Sequence, residues 1–227
     1  TIAVIGVPMK EASRFGIVVT DQDSRIKEFE EKPEKPSSNL ASMGIYIFSW
    51  KALKDALNAM KDQGNCDFGK HIIPYCHEKK QRLFAYEYNG YWKDVGTIDS
   101  LWEANMDLLD KNNALDLNDP AWKIYTEDPT TPPHYIGPNA DIKRSFITQG
   151  CMIDGEVKNS VLFTSAKIDT GARVIDSVLM PGVIVEAGAV VQRALVADGV
   201  RIGKNAVVGS PDSEHIELVA KRVKGAE

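Results

Sequence analysis

The hydrophobic and polar positions of the chain follow two different patterns, one on each side of about residue 110. In the first half, stretches with the two-residue period of a strand alternate with stretches whose apolar residues recur at helical spacing, as in α/β domains. Because the first predicted strand begins at the first residue, we expect the chain to be a fragment or the distal part of a longer protein. The pattern predicts strands over residues 1–7, 15–20, 25–30 and 41–48, an apolar stretch over 83–88, and helices over 51–60, 68–76 and 98–109.

The last part of the chain is a repeat. Five segments share an aliphatic first position, a small or acidic second position and a small apolar fifth position, and their starts differ by 17, 15, 17 and 17 residues. With weaker copies between them, this gives three near-hexapeptides per coil, which predicts a β-helix whose aliphatic residues point inward at each corner. Such hexapeptide repeats resemble the left-handed parallel β-helix family. The segments start at Ile136, Ile153, Ile168, Val185 and Ile202.

The two patterns are joined by a segment with the composition of a connector. Residues 110–133 are rich in asparagine, aspartate and proline, which interrupt regular structure. We expect Trp122 and Tyr125 to pin this segment to a surface. The predicted division is therefore a first domain over 1–110, a linker over 111–135 and a β-helix domain over 136–227.

Composition and charge exclude several classes of protein. The 227 residues carry a formal net charge of −5 and a pI near 5.5, which argues against a nucleic-acid partner because such proteins are usually basic. No run of 18 apolar residues is present, so we expect no membrane partner. The three cysteines and four histidines have no metal-ligand spacing, and we interpret the cysteines as reduced thiols of a cytoplasmic protein.

The segment from Tyr91 to Thr97 combines two aromatic residues, a lysine, an aspartate and a glycine at a predicted strand-to-helix junction. A carboxylate in such a place can hold a metal ion or position a substrate. In the alternative interpretation, Asp94 caps the following helix and Trp92 fills a core. The residue types alone favour neither.

A second candidate is Glu31-Lys32-Pro33. A carboxylate accepts hydrogen bonds from hydroxyls, and an ammonium group pairs with phosphate, so the two side chains suit a sugar phosphate. Pro33 predicts extended backbone at Lys32, and a bend there would let both side chains reach one ligand. The alternative is a solvated run of charges over residues 27–35.

Four blocks together resemble the ADP-glucose pyrophosphorylases, the glucose-1-phosphate adenylyltransferases of bacterial glycogen synthesis. They occur in the order of that family, ahead of its left-handed β-helix. The resemblance implies that residues 1–110 are the C-terminal, sugar-phosphate part of a Rossmann-like nucleotidyltransferase domain, followed by a left-handed parallel β-helix of hexapeptide repeats. The blocks are Glu11-Ala-Ser-Arg-Phe-Gly16, Phe29-Glu-Glu-Lys-Pro33, Leu40-Ala-Ser-Met-Gly-Ile-Tyr46 with Asp67-Phe-Gly-Lys70, and Trp92-Lys-Asp-Val-Gly-Thr97.

The resemblance implies an allosteric enzyme that makes ADP-glucose and pyrophosphate from ATP and α-D-glucose 1-phosphate with Mg²⁺. It makes Asp94 the magnesium ligand and, with Lys32, a catalytic residue. Outside the resemblance, Gly16 could be a turn glycine, Tyr46 a core residue and Asp67 a helix N-cap. His71 replaces an acidic residue common in the family. The residues that the resemblance places at the glucose 1-phosphate site are Gly16, Glu31, Lys32, Ser42, Tyr46, Asp67 and Trp92.

The glycine-rich phosphate loop of the family is not found in this sequence, so we expect the isolated chain not to form ADP-glucose. The alternatives are a non-catalytic regulatory subunit of the same assembly or a scaffold. A hexapeptide-repeat acyltransferase is disfavoured because residues 136–208 contain no histidine. The resemblance also implies a homo- or heterotetramer and a metabolite effector, for which the basic candidates are Lys143, Arg144, Arg173 and Arg193.

Overall fold

The computed structural model describes residues 1–117, 119–127 and 130–226 and forms two compact units, Thr1–Trp92 and Lys93–Glu227. The boundary between them lies before residue 110, the predicted end of the first domain, because the helix over 98–107 packs within the second unit.

The first unit is built on a mixed five-stranded sheet with the order β3-β2-β4-β1-β5. Neighbouring strands pair antiparallel except β1 and β5, which are parallel. The alternation of apolar and polar residues predicted the first four strands to within two residues at their ends. The strands are β1 (Ile2–Gly6), β2 (Gly16–Thr20), β3 (Ile26–Glu31), β4 (Leu40–Tyr46) and β5 (Ala85–Glu87).

Helices cover one face of this sheet. Ala56 of α2 and Ile72, Ile73 and Cys76 of the 68–78 segment are fully buried with Val4 and other strand residues in one core. In the described residues no helix is long and apolar enough to cross a bilayer. The short α1 was not predicted, because four residues are too few to show a helical period. The helices are α1 (Met9–Ala12), α2 (Trp50–Ala59), a π-helical turn (Phe68–Ile72) that runs into α3 (Ile73–Glu78), and, in the second unit, α4 (Ile98–Asp107).

The second unit contains three parallel sheets that stack as the faces of a β-helix. Their orders are β6-β9-β12-β15-β18, β7-β10-β13-β16-β19 and β8-β11-β14-β17-β20. The strands are β6 (Tyr135–Ile136), β7 (Asp141–Lys143), β8 (Phe146–Ile147), β9 (Met152–Ile153), β10 (Glu156–Lys158), β11 (Val161–Leu162), β12 (Lys167–Ile168), β13 (Arg173–Ile175), β14 (Val178–Leu179), β15 (Ile184–Val185), β16 (Val190–Gln192), β17 (Ala194–Val196), β18 (Arg201–Ile202), β19 (Val207–Val208) and β20 (Glu217–Val219).

The register of these strands follows the predicted repeat. The five aliphatic residues that start the repeat segments pair with one another in a single column. The first of them, Ile136, lies in the terminal coil and is partly exposed, whereas the other four are at most 1% exposed. Each coil therefore covers the apolar side chains of its neighbour, and the predicted β-helix is confirmed.

Helix α4 covers an apolar column on the outside of the β-helix. The outward residues Val161, Val178 and Leu195 pair in register and pack against Ile98, Leu101, Met106 and other residues at the helix. Trp102 Nε1 donates a hydrogen bond to the Asp176 carbonyl at 2.8 Å. The helix therefore buries side chains that would otherwise form an exposed apolar stripe.

One alternative and one expectation near this helix are wrong. The N-cap of α4 is Thr97, whose hydroxyl accepts from Ser100 N–H while the Ser100 hydroxyl accepts from Thr97 N–H, so Asp94 does not cap the helix. Trp122 and Tyr125 do not pin the connecting segment, because they are 81% and 88% exposed. Helix α4 already covers the outward apolar column on which an aromatic side chain could pack.

The three cysteines are free thiols with different accessibility. Cys66 is exposed, whereas Cys76 and Cys151 are buried, and burial raises the pKa of both buried thiols. Because the thiolate is the reactive form, we expect iodoacetamide to modify Cys66 rapidly and the other two only in denaturant. Peptide mass spectrometry before and after unfolding measures this, and rapid native labelling of Cys76 or Cys151 would contradict it.

Candidate functional site

Three of the predicted site residues lie in one row across the first sheet. Gly16 pairs with Glu31, and Ile17, the next residue, pairs with both Glu30 and Ala41. Continuing this antiparallel register places Ser42 on the other side of Gly16. Side chains in one row of a sheet project from the same face, and Ser42 pairs onward with Val4, whose side chain lies on the helix-covered face. Glu31, Gly16 and Ser42 therefore share that face.

The carboxylate of Glu31 occupies space that two glycines leave open. A methyl group on Gly16 would lie 3.0 Å from Glu31 Oε2, and a methyl group on Gly69 would lie 2.9 Å from Glu31 Cδ and nearer still to Oε2. Both glycines are buried, and Glu31 is half-buried. Neither position can therefore carry a side chain while Glu31 keeps this place.

Within the described residues, the Glu31 carboxylate has no hydrogen-bond or ion-pair partner. Partial removal of a carboxylate from water without a donor is unfavourable, so this group is prepared to accept hydrogen bonds from a ligand. Gly69 was missed as a site residue by the sequence reasoning. Its signal was a glycine in the first turn of a predicted helix, where glycine is a poor helix former.

The turn that carries Gly69 is held by Asp67. Asp67 Oδ1 accepts from Lys70 N–H at 2.8 Å, so the predicted N-cap role is confirmed. The Asp67 carbonyl accepts from the N–H groups of both His71 and Ile72, at 3.0 and 3.3 Å, which widens the first turn to a π-helix. Such widened turns are frequent at functional sites.

Aromatic side chains lie on both faces of the sheet around this row. Phe68 stacks on Tyr46 with ring centroids 5.2 Å apart and an interplanar angle of 13°. Tyr46 also contacts the core under α2 and α3, which agrees with the core-packing alternative for this residue. Trp92 packs edge-on against Phe15 at 5.7 Å. Phe15 belongs to the cluster with Ile17 and Ala41 on the other face of the sheet, so this contact does not bring Trp92 to Glu31.

Lys32 follows Glu31 in left-handed backbone, with φ of 49°. The expectation of extended backbone at Lys32 is therefore wrong. Lys32 N–H continues the sheet pairing by donating to the Phe15 carbonyl at 3.1 Å, and the chain turns away towards Pro33 immediately afterwards. The left-handed backbone allows Lys32 to make this hydrogen bond and to begin the turn at the same residue. Its side chain is therefore not restricted to the alternating faces of a strand. The side chain is exposed and forms no ion pair with the described residues.

Lys93 and Asp94 belong to the second unit. Lys93 Nζ lies 2.9 Å from Glu103 and 3.5 Å from Asp107, both on α4. Burial opposes its charge, but the hydrogen bonds and charges of those two carboxylates prevail and raise the pKa of Lys93. Lys93 therefore ties its segment to α4. The Asp94 carboxylate lies close to Gly96, where an added methyl group would be 3.4 Å from both oxygens.

The described residues contain no cluster of metal-ligating side chains, and the four effector candidates contact other residues of the chain. Among residues 1–117, 119–127 and 130–226, no three His, Cys, Asp or Glu side chains are grouped as a metal site. The four basic effector candidates all have partners, as expected for coil edges. These partners are Asp141 for Lys143, Asn159 for Arg144, Glu156 for Arg173 and the Trp102 ring for Arg193.

Two protein families match the two parts of the chain. The nucleotidyl transferase family matches residues 1–111, and the family described as "GlmU-like, C-terminal hexapeptide" matches residues 134–222. These matches agree with the mixed sheet of the first unit and the β-helix of the second.

Curated relatives share the name glucose-1-phosphate adenylyltransferase. The protein of Clostridium acetobutylicum is 62% identical over 170 residues, which is 74% of this chain and 45% of the relative. The protein of Acetivibrio thermocellus is 46% identical over 96% of this chain and 52% of its own length, and that of Bacillus cytotoxicus is 46% identical over 98% and 60%. The chain thus spans about half the length of the curated relatives it matches.

Proposed function

Because residues 1–111 are a nucleotidyl transferase domain and residues 134–222 a hexapeptide-repeat region, we propose that the first unit binds α-D-glucose 1-phosphate. In the whole protein, this sugar phosphate would attack ATP to form ADP-glucose and pyrophosphate for glycogen synthesis. The observation that carries the proposal is the half-buried Glu31 carboxylate, which lies between Gly16 and Gly69 without a hydrogen-bond partner among the described residues. A ligand rich in hydroxyl donors suits such a group.

Different residues around Glu31 would bind different groups of a sugar phosphate. Ser42 Oγ accepts from Gly44 N–H at 3.4 Å, which leaves its own O–H available to donate. The exposed ammonium of Lys32, adjacent to Glu31, suits the phosphate dianion. Phe68, stacked on Tyr46, gives an apolar surface for the sugar ring.

The proposed reaction also uses Mg²⁺, for which Asp94 is the candidate ligand. A single carboxylate fits a magnesium site, because Mg²⁺ commonly takes one or two protein carboxylates and completes its shell with phosphate oxygens and water. When bound, the metal would neutralise phosphate charge during adenylyl transfer. In this chain, the position beside Gly96 would hold the Asp94 carboxylate in place for the metal.

Isothermal titration of the chain with glucose 1-phosphate tests the proposal. We expect Lys32→Ala to weaken binding about 10- to 100-fold, the loss of a charge-assisted contact. Lys35→Ala removes another exposed lysine of the same charge run, one that is not adjacent to Glu31. It should change the affinity by less than about twofold, because an exposed charge without direct contact to the ligand contributes little.

Glucose without phosphate provides the second comparison. Glu31→Gln should weaken the binding of both ligands, whereas Lys32→Ala should weaken only that of the phosphate ester. Equal effects of Lys32→Ala and Lys35→Ala would indicate a solvated charge run. A folded chain that binds neither ligand would instead favour the regulatory or scaffold alternative.

A further inference from the structure

His71 makes a hydrogen bond that ordinary helix geometry does not require. Its Nδ1 accepts from the backbone N–H of Asp67 at 2.9 Å, while Asp67 Oδ1 accepts from Lys70 N–H. The two bonds are reciprocal: the cap side chain binds the first turn, and a side chain of the first turn binds the cap backbone. In a capping box this second role belongs to a glutamate or glutamine.

This hydrogen bond acts on the turn that faces Glu31. Asp67 and Gly69 lie in the same widened turn, and a methyl group on Gly69 would be 3.4 Å from Asp67 Oδ1 and closer to the Glu31 carboxylate. The Asp67 carbonyl already accepts two backbone N–H groups. The Asp67 N–H donates to His71 Nδ1, so both backbone polar groups of Asp67 are bound where the turn begins.

We propose that His71 is a positioning residue of the sugar-phosphate site, which holds the Asp67–Gly69 turn against the Glu31 carboxylate by accepting the Asp67 N–H at Nδ1. The inference rests on the proposed function, since it assigns a task to that same site. His71 does not touch the ligand in this assignment. It acts through the turn, and Glu31 makes the contact.

The chemistry of the acceptor makes the proposal specific. Nδ1 accepts only when it carries no proton, so the ring is the Nε2–H tautomer. An asparagine places its Oδ1 at the same branch point of the side chain as Nδ1 and can accept the same N–H. Leucine has no acceptor but is a better helix former than histidine, so a loss in His71→Leu cannot come from helix propensity.

A matched control lies in the same helical segment. The Nε2 of His77, in α3, is 2.7 Å from the Lys27 carbonyl of β3, away from the turn at Asp67. His77→Leu also removes a histidine hydrogen bond from this segment. It should lower the melting temperature without changing the affinity for glucose 1-phosphate.

Titration of the full chain and its variants with glucose 1-phosphate decides the proposal. We expect His71→Leu to weaken binding about 3- to 10-fold, the net contribution of one hydrogen bond whose exposed N–H can bind water instead, and His71→Asn to stay within about twofold of the parent chain. Amide exchange of Asp67, followed by NMR, should be about 10-fold faster in His71→Leu and unchanged in His71→Asn.

The outcomes separate the two proposals. If the parent chain binds the ligand but His71→Leu binds as well as the parent, or His71→Asn loses as much as His71→Leu, the role of His71 is wrong and the proposed function stands. If the folded parent chain does not bind glucose 1-phosphate, the proposed function fails and the assignment of His71 fails with it. An equal loss of affinity in His77→Leu would show a general effect of stability and overturn the positioning role.

Discussion

Gly69→Ala is expected to weaken the binding of glucose 1-phosphate about 10- to 100-fold, the value of losing charge-assisted hydrogen bonds to Glu31. The added methyl group would lie 2.9 Å from Glu31 Cδ and closer to Oε2. The end of a glutamate side chain can rotate away, so the conflict would be relieved by moving the carboxylate out of the site. The binding group would therefore be lost while the backbone keeps its place.

The same substitution should not harm the fold. Alanine is favoured over glycine within a helix by up to about 1 kcal/mol, and Gly69 does not have positive φ. We expect an unchanged or raised melting temperature, measured by circular dichroism, together with the loss of affinity measured by titration calorimetry. Gly16→Ala would be a less specific test of the Glu31 site, because its methyl group would also lie 2.7 Å from the Phe29 ring and disturb the core.

Gly64→Ala is the matched control for Gly69→Ala. No atom of another residue lies within 4 Å of the methyl group that it would add, apart from its chain neighbours. It should leave affinity and melting temperature unchanged. Parent-like binding by Gly69→Ala would contradict the role given to the glycine pair around Glu31.

Trp102→Ala is expected to have the largest effect on stability, a loss of about 3 kcal/mol for a large aromatic side chain in an apolar cluster. The indole packs between α4 and the outward column of the β-helix, donates to the Asp176 carbonyl at 2.8 Å and lies under the Arg193 guanidinium at 5.5 Å. Removing it would expose Val161, Val178 and Leu195. The shift of the urea unfolding midpoint, followed by circular dichroism, measures the effect.

Trp122→Ala provides the comparison for this prediction. Trp122 is 81% exposed, so its removal should change the unfolding midpoint very little. The two variants lose the same side chain in different surroundings. If both shift the midpoint equally, the packing of α4 on the β-helix does not stabilise the second unit as described.

Repeated and alternating features of the fold could be predicted from the sequence. The β-helix was predictable because the same aliphatic position recurs in every coil, and the register follows as Ile168 pairs with Ile153 on one side and with Val185 on the other. The strands of the first sheet were predictable because their apolar residues alternate. In both cases, the information lies in a periodic pattern of the sequence, as alternation along one strand or as recurrence from coil to coil.

Features that depend on distant partners could not be predicted. The backbone at Lys32 follows from its bond to the Phe15 carbonyl, whereas the rule applied to it considered only Pro33. Gly69, in the π-helical turn, matters because of Glu31, which lies at the end of strand β3. The alternative of an Asp94 cap for α4 is a different case, because the Thr97 and Ser100 pair caps the helix through local hydrogen bonds.

Helix α4 also sets a limit on how the β-helix can vary in length. Asp99 accepts from Ile216 N–H next to β20, and Trp102 donates to Asp176 next to β14, so the helix spans successive coils. Its ten residues extend about 15 Å, while neighbouring strands are about 4.8 Å apart. Strands β14 and β20 are two strand spacings apart, with β17 between them, so a whole coil inserted there would move these anchors one further spacing apart. The helix therefore fixes the number of coils between its two anchors. Among homologues we expect gains or losses of whole coils to occur outside the coils that α4 contacts.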